Sequence, residues 1–191
     1  MARDREILDA AAALFYEKGF HGVGLNEIAQ RVGISGPAIY RHFATKQEML
    51  ATLYHEAFDE LLAGVGVATE DPRADLDQLM RSHVEFALKR RELTNVYSRE
   101  TTAIGDVDRR QFNRRARQYS SHWEATLARV YPEAAPEIIA GVTQAAIAVI
   151  NSIAYWPPEA LALPDLAGFL RRMATEGLRM LEPAAAGAKV A

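Results

Sequence analysis

Gly36, Ala38, Arg41 and His42, with Lys46 just beyond, combine residue types and spacing that suit contact with DNA. An arginine can donate two bonds to a guanine edge, a small side chain can meet a thymine methyl, and histidine and lysine can bond phosphate oxygens. These residues are what remains facing outward on a short helix whose inward anchors are Ile39, Tyr40 and Phe43. A second helix must hold it. Leu25, Ile28, Ala29 and Val32 recur at i, i+3, i+4 and i+7, which predicts one apolar helical face. Gly33 suits a left-handed C-terminal cap, Ser35 can accept a backbone N–H as the next N-cap, and Pro37 falls in a first turn where its missing N–H costs nothing. Two short helices joined by a tight turn form a helix-turn-helix.

Net charge does not announce a DNA binder. Residues 1–46 set Arg3, Arg5, Lys18, Arg31, Arg41 and Lys46 against Asp4, Glu6, Asp9, Glu17 and Glu27, and the whole chain of 191 residues carries −3. Local placement of cations matters more than the total when phosphates are the target.

The segment GLNEIAQRVGISGPAIYRHFATK, with MARDREILDAAAALFYEKGF before it and QEMLATLYHEAFDELL after it, resembles the TetR/AcrR family of transcriptional regulators. The resemblance is carried by Ala11, Leu14 and Phe15 on an amphipathic first helix, GF at Gly19 and Phe20, EIA at Glu27 to Ala29, VGIS at Val32 to Ser35, and IYRHF followed by Lys46. It implies an all-α fold of about nine helices: an N-terminal three-helix helix-turn-helix head and a helical ligand-binding and dimerisation body. It also implies a homodimer on double-stranded operator DNA, in which Tyr40, His42 and Lys46 meet phosphates, Gly36, Pro37, Ala38 and Arg41 face the major groove, Asn26 lies near a phosphate, and Ser35 belongs to the same DNA-binding set. Two positions depart from the family pattern. Gly24 replaces the usual Thr or Ser N-cap, removing a hydroxyl, and Gly36, Pro37 and Ala38 replace the common Lys, Gly and Thr. Specificity is therefore expected to lean on Arg41, on apolar contacts to thymine methyls, and on DNA shape.

The expected domains are 1–46 for DNA binding, 47–182 for ligand binding and dimerisation, and a disordered tail over 183–191. Helical stripes are predicted from Thr45 to about Gly64 or Gly66, from Leu76 to Ala87, from Leu93 to Ile104, from Asp106 to before Pro132, and from Leu166 to Leu181. The stretch 138–158 has no charged residue. Its Thr143, Gln144, Asn151 and Ser152, and its acidic flanks Glu137 and Glu159, argue against a membrane span and for a helix buried on all sides. In the resembling family the last two long helices build the dimer, which points to Ile147, Ile150, Phe169, Leu170 and Met173.

Phe86, Tyr97, Phe112, Tyr119 and Trp123 suggest an apolar cavity for a small-molecule inducer, with His83, Arg99, Glu100 and Asn151 as polar anchors. Glu100 interrupts an apolar face and needs a partner: Arg99, Arg115, or the inducer itself. The Arg-rich face of Arg109, Arg110, Arg114, Arg115 and Arg117 reads as a solvated helix surface or as an anionic-ligand site. No cysteine is present, the five histidines show no ligand spacing, and no nucleophile elbow or phosphate loop occurs. No enzyme, metal site or cofactor is therefore expected, and with no signal peptide the expected compartment is the cytoplasm. The competing reading is a helical ligand-binding or protein-interaction module with no specific DNA readout, favoured by Gly24 and the few base-edge donors.

Overall fold

A computed structural model describes residues 2–100 and 103–181, and among these the chain forms ten α-helices and no strand. The tail 183–191, and the part of the Leu93–Ile104 helix at 101–102, lie outside the described residues. Two compact units emerge. One takes in the chain up to Leu61 together with Lys89–Arg117; the other takes in Leu62–Leu88 and the chain from Gln118 onward.

In the first unit, α1 (Ala2–Lys18) buries Ile7, Leu8, Ala11, Leu14 and Phe15 along one face, the i, i+4, i+7 pattern of its sequence. Helix α2 (Leu25–Arg31) follows, its N-cap Gly24 supplying extended backbone but no side-chain bond. Gly33 then turns the chain at φ 69°, the left-handed conformation its position predicted, and the Ile34 N–H closes onto the Ala29 carbonyl. Helix α3 is a single turn, Gly36–Ile39, extended by turn bonds from Arg41, His42 and Phe43 back to Ala38 and Ile39. Ile39 and Phe43 are inward anchors, whereas Tyr40 is 57% exposed and anchors nothing. Helix α4 (Lys46–Ala63) starts where expected, with Thr45 Oγ1 accepting from the Glu48 N–H at 3.1 Å. Helix α6 (Arg91–Glu100) and the first part of α7 (Asp106–Val130) complete this unit, with α6 packed on α1.

The second unit holds α5 (Pro72–Lys89) up to Leu88, the remainder of α7, α8 (Pro136–Asn151), the short α9 (Pro158–Leu161) and α10 (Leu166–Leu178). Asp71 caps α5 by accepting from the N–H groups of Arg73 and Ala74. Helices α8 and α10 pack together. The stretch Pro136–Tyr155 is long and apolar enough to cross a membrane by length and composition, with 39% of that window buried. It is not buried on all sides as expected: Ile139, Val142, Thr143, Ala146 and Ile150 face the interior, while Ile138, Gly141, Ala145 and Ala148 are exposed.

The same split corrects the expected dimer residues. Ile150 and Leu170 are each 0% exposed and belong to the protein's own core. Phe169 and Met173, at 36% and 41%, are left outside with Ile138, and Ile147 is half-buried. The stripe had merged the two faces of one helix, because Phe169 and Leu170 are adjacent and point about 100° apart. Leu170→Ala should therefore cost about 2–5 kcal/mol, read as a lowered urea midpoint. A loss below about 1 kcal/mol would show that Leu170 is not core.

Candidate functional site

The geometry of the head starts at Gly36. A β-carbon there would come within 2.5 Å of the Asn26 Oδ1, so the first turn of α2 meets the first turn of α3 at a spacing only glycine accepts without displacing that carboxamide. Gly36 and Asn26, both expected to face DNA, thus lie side by side at the starts of their helices. Ser35 is the N-cap of α3 by its backbone, but its side chain makes no cap bond, contrary to expectation; the Ala38 N–H goes to the Ser35 carbonyl instead. Pro37, Tyr40 and Arg41 are exposed and Ala38 is half-buried. His42 is half-buried, its Nδ1 2.7 Å from Asp4 Oδ1.

Lys46 is placed differently from the phosphate contact the resemblance implied. Its ammonium donates to the Phe20 carbonyl at 2.7 Å and the Val23 carbonyl at 2.9 Å, and sits 4.5 Å above the Phe20 ring. A cation held by two carbonyls and an aromatic face is a brace for the turn before α2. Most other head cations are paired as well: Arg3 with Glu6, Arg5 with Asp9 and Glu56, Lys18 with Glu27, and Arg31 with Glu17. Among the described residues Arg41 has no ion-pair partner.

The expected ligand residues fall into two groups. In the first unit Tyr97 and Phe112 stack at 4.6 Å between centroids, beside Tyr54 and Phe58. Glu100 is paired with neither Arg99 nor Arg115. Arg99 is exposed, and Arg115 bonds Asp59 and the His55 carbonyl. The Glu100 carboxylate instead accepts from the Phe20 N–H at 3.4 Å, a contact eighty positions away that no spacing rule could reveal. On the Arg-rich face Arg109 pairs with Asp106, and Arg110 and Arg114 are exposed.

In the second unit His83, Phe86, Tyr119, Trp123 and Asn151 come together. The Tyr119 hydroxyl lies 2.9 Å from His83 Nδ1, and His83 Nε2 lies 3.0 Å from Asn151 Oδ1. An amide oxygen only accepts, so Nε2 bears the ring proton and Nδ1 accepts from the tyrosine. Trp123 packs edge-on against the same imidazole at 5.8 Å. Burial pushes the His83 pKa down to about 4 and the Tyr119 phenol up. Nearby in sequence, the buried Thr143 hydroxyl has no hydrogen-bond partner among the described residues. Among the described residues no three His, Cys, Asp or Glu side chains converge to hold a metal ion.

An all-helical chain that opens on a helix-turn-helix and continues into a helical body defines a two-part class of regulator-like fold. Residues 7–53 match the family of bacterial regulatory proteins described as the tetR family, and residues 69–159 match the tetracyclin repressor-like C-terminal domain. The chain belongs to the TetR family. It is 36% identical over 87 residues to the HTH-type transcriptional activator FasR of Mycolicibacterium smegmatis, covering 44% of this chain and 40% of FasR. It is 39% identical over 62 residues to the HTH-type transcriptional repressor KstR2 of Mycobacterium tuberculosis, covering 32% of this chain and 31% of KstR2. The match thus spans less than half of the length of these curated relatives, which are regulators and not enzymes. The fold extends further. The solved structure of KstR2 superposes with a TM-score of 0.75 at 22% identity over 94% of this chain and 92% of that one. AibR in complex with isovaleryl coenzyme A and operator DNA superposes with a TM-score of 0.74 at 18% identity over 93% and 97%.

A buried neutral imidazole has a signature in stability. Unfolded, it protonates near its ordinary pKa of 6.5; folded, it resists down to about 4. Stability is full above the first value and is lost as pH falls toward the second, by at most about 3 kcal/mol. Between about pH 7 and pH 5 the urea midpoint should fall further for the unmodified chain than for His83→Gln. Equal falls would contradict the neutral, buried placement.

Proposed function

We propose that this chain is a ligand-responsive, DNA-binding transcriptional regulator that acts in the cytoplasm as a homodimer. It is a repressor, released from a palindromic operator by a small hydrophobic or amphipathic inducer. The observation that carries the reading is that Pro37, Tyr40 and Arg41 are left exposed around the one-turn α3, while Ile39 anchors it inward beside Gly36 and Asn26. Residues 1–46 then form the DNA-binding domain and 47–182 the ligand-binding and dimerisation domain. Arg41 reads a base edge, Pro37 and Ala38 meet thymine methyls, and Tyr40, His42 and the unbonded Ser35 hydroxyl meet phosphates. The AibR complex supports the pairing of a small ligand with operator DNA on this fold, and KstR2 supports the repressor sign.

Dimerisation is supported by the uncovered apolar side of α8 and α10. Ile138 on α8 and Phe169 and Met173 on α10 are exposed there, and a two-fold partner would cover them. The same cover accounts for an apolar helix without invoking a membrane. The inducer is assigned to the interior polar group of His83, Tyr119 and Asn151 with its aromatic surround in the second unit.

Electrophoretic shift with DNA from upstream of the chain's own gene tests the reading. Specific, salt-sensitive retardation is expected, and Arg41→Ala should weaken it by about 1–3 kcal/mol at particular base pairs. Equal weak binding to every fragment would favour the interaction module instead. For the dimer, Met173→Glu should yield a folded monomer in sedimentation, and a stable monomer from the unmodified chain would overturn the assignment.

A further inference from the structure

His42 carries a chemical constraint imposed from another helix. Its Nδ1 is 2.7 Å from the Asp4 carboxylate on α1, and the two side chains are 28% and 38% exposed. An ionised carboxylate has no proton to give, so Nδ1–H must be the donor. In the neutral ring the remaining nitrogen, Nε2, is then a bare lone pair. A phosphate oxygen is also only an acceptor, and two acceptors do not bond. Contact between Nε2 and a phosphate therefore requires a second proton on the ring, giving an imidazolium that donates from both nitrogens.

We propose that Asp4 is a positioning residue for DNA binding: by fixing the proton of His42 on Nδ1, it makes the contact between His42 and a backbone phosphate depend on uptake of one proton per protomer from solvent. This rests on the docking proposed above. When the DNA leaves, the same proton returns to solvent, so the exchange balances without any other reactant.

Asp4 decides the tautomer as an ionised carboxylate, held below the usual carboxylate range first by the chain's amino group and then by His42. From α1, Arg3 is engaged by Glu6, and Arg5 by Asp9 and Glu56. On the His42 segment itself, Arg41 is exposed to solvent. At the start of α4, the Lys46 ammonium is held by backbone carbonyls, and Glu48 accepts from the Ala44 N–H at 2.8 Å. A phosphate arriving at Nε2 favours the doubly protonated ring over the neutral one, so binding draws a proton onto His42. Affinity then falls as pH rises and that proton becomes harder to supply.

The test is the anisotropy of a labelled fragment that gives the specific shift, titrated at constant ionic strength from about pH 6 to pH 8. For the unmodified chain the affinity should fall with rising pH, by up to about tenfold per pH unit for each protomer engaged. His42→Gln should flatten the profile while leaving every other ionisable group of the head in place. His42→Lys, a permanent cation, should hold its affinity at the alkaline end. Asp4→Ala should also flatten it, because the freed ring can place its one proton on Nε2 and donate while neutral. A flat profile for the unmodified chain, or an unchanged slope in His42→Gln or Asp4→Ala, overturns the proposal. Absence of specific binding at every pH would overturn the docking reading itself, and is distinguished from these by the shift assay.

Discussion

The peptide group of Phe20 is where the first unit is tied together. Its N–H is held by Glu100 at the end of α6, and its carbonyl by Lys46 at the start of α4, just after α1 has ended. The ring beneath is buried, stacked on Phe15 at 5.1 Å, and covered by the same lysine. Three helices that are distant in sequence thus meet at one residue. At the other end of α6, the Arg91 guanidinium lies over the Tyr16 ring at 5.5 Å, so α6 is fastened to α1 near both of its ends. A shift of α6 along α1 would have to break a charge-assisted contact at Phe20 or drag the turn that leads into α2.

That arrangement explains why the charge of the head is a poor guide to its use. Arg3, Arg5, Lys18 and Arg31 are engaged by carboxylates and Lys46 by carbonyls, so formal cations serve mainly to position helices. Exposed pairs of this kind contribute little stability each, about 0–1 kcal/mol, but they lower the positive potential a phosphate would meet. Such a head leaves few cations free for a phosphate, Arg41 among them.

The sequence made the helix-turn-helix legible because its signals are local. Gly33, Pro37 and the apolar faces act within a turn or two of themselves, and each does what its position implies. Ser35 and Tyr40 are local misses at the one-turn α3, and the larger errors lie where the deciding contact is long-range or where two helical faces sit side by side. Glu100 was recognisable as a carboxylate in need of a partner, but the partner is a backbone N–H eighty positions earlier. Asp4 gave no signal at all, since nothing in the spacing of thirty-eight residues links it to His42. Leu170 and Ile150 were read as dimer residues because an apolar stripe does not state which of its members faces inward when both faces are apolar.

Charge is kept out of the interior of the second unit, and this limits what that interior can select. The hydrogen bonds there run one way, from Tyr119 to His83 to Asn151, because the amide oxygen at the end fixes the tautomer of the ring. Burial prevents the imidazole from gaining a proton near neutral pH, so the relay carries no charge there. The polarity of this interior therefore comes from oriented dipoles. Asn151 lies at the C-terminal end of α8, a helix that also carries exposed apolar residues such as Ile138. A molecule that exchanges hydrogen bonds with Asn151 acts on the same rigid element that a second subunit would cover. It can shift an equilibrium between arrangements of that helix only to the extent that it binds one of them more tightly.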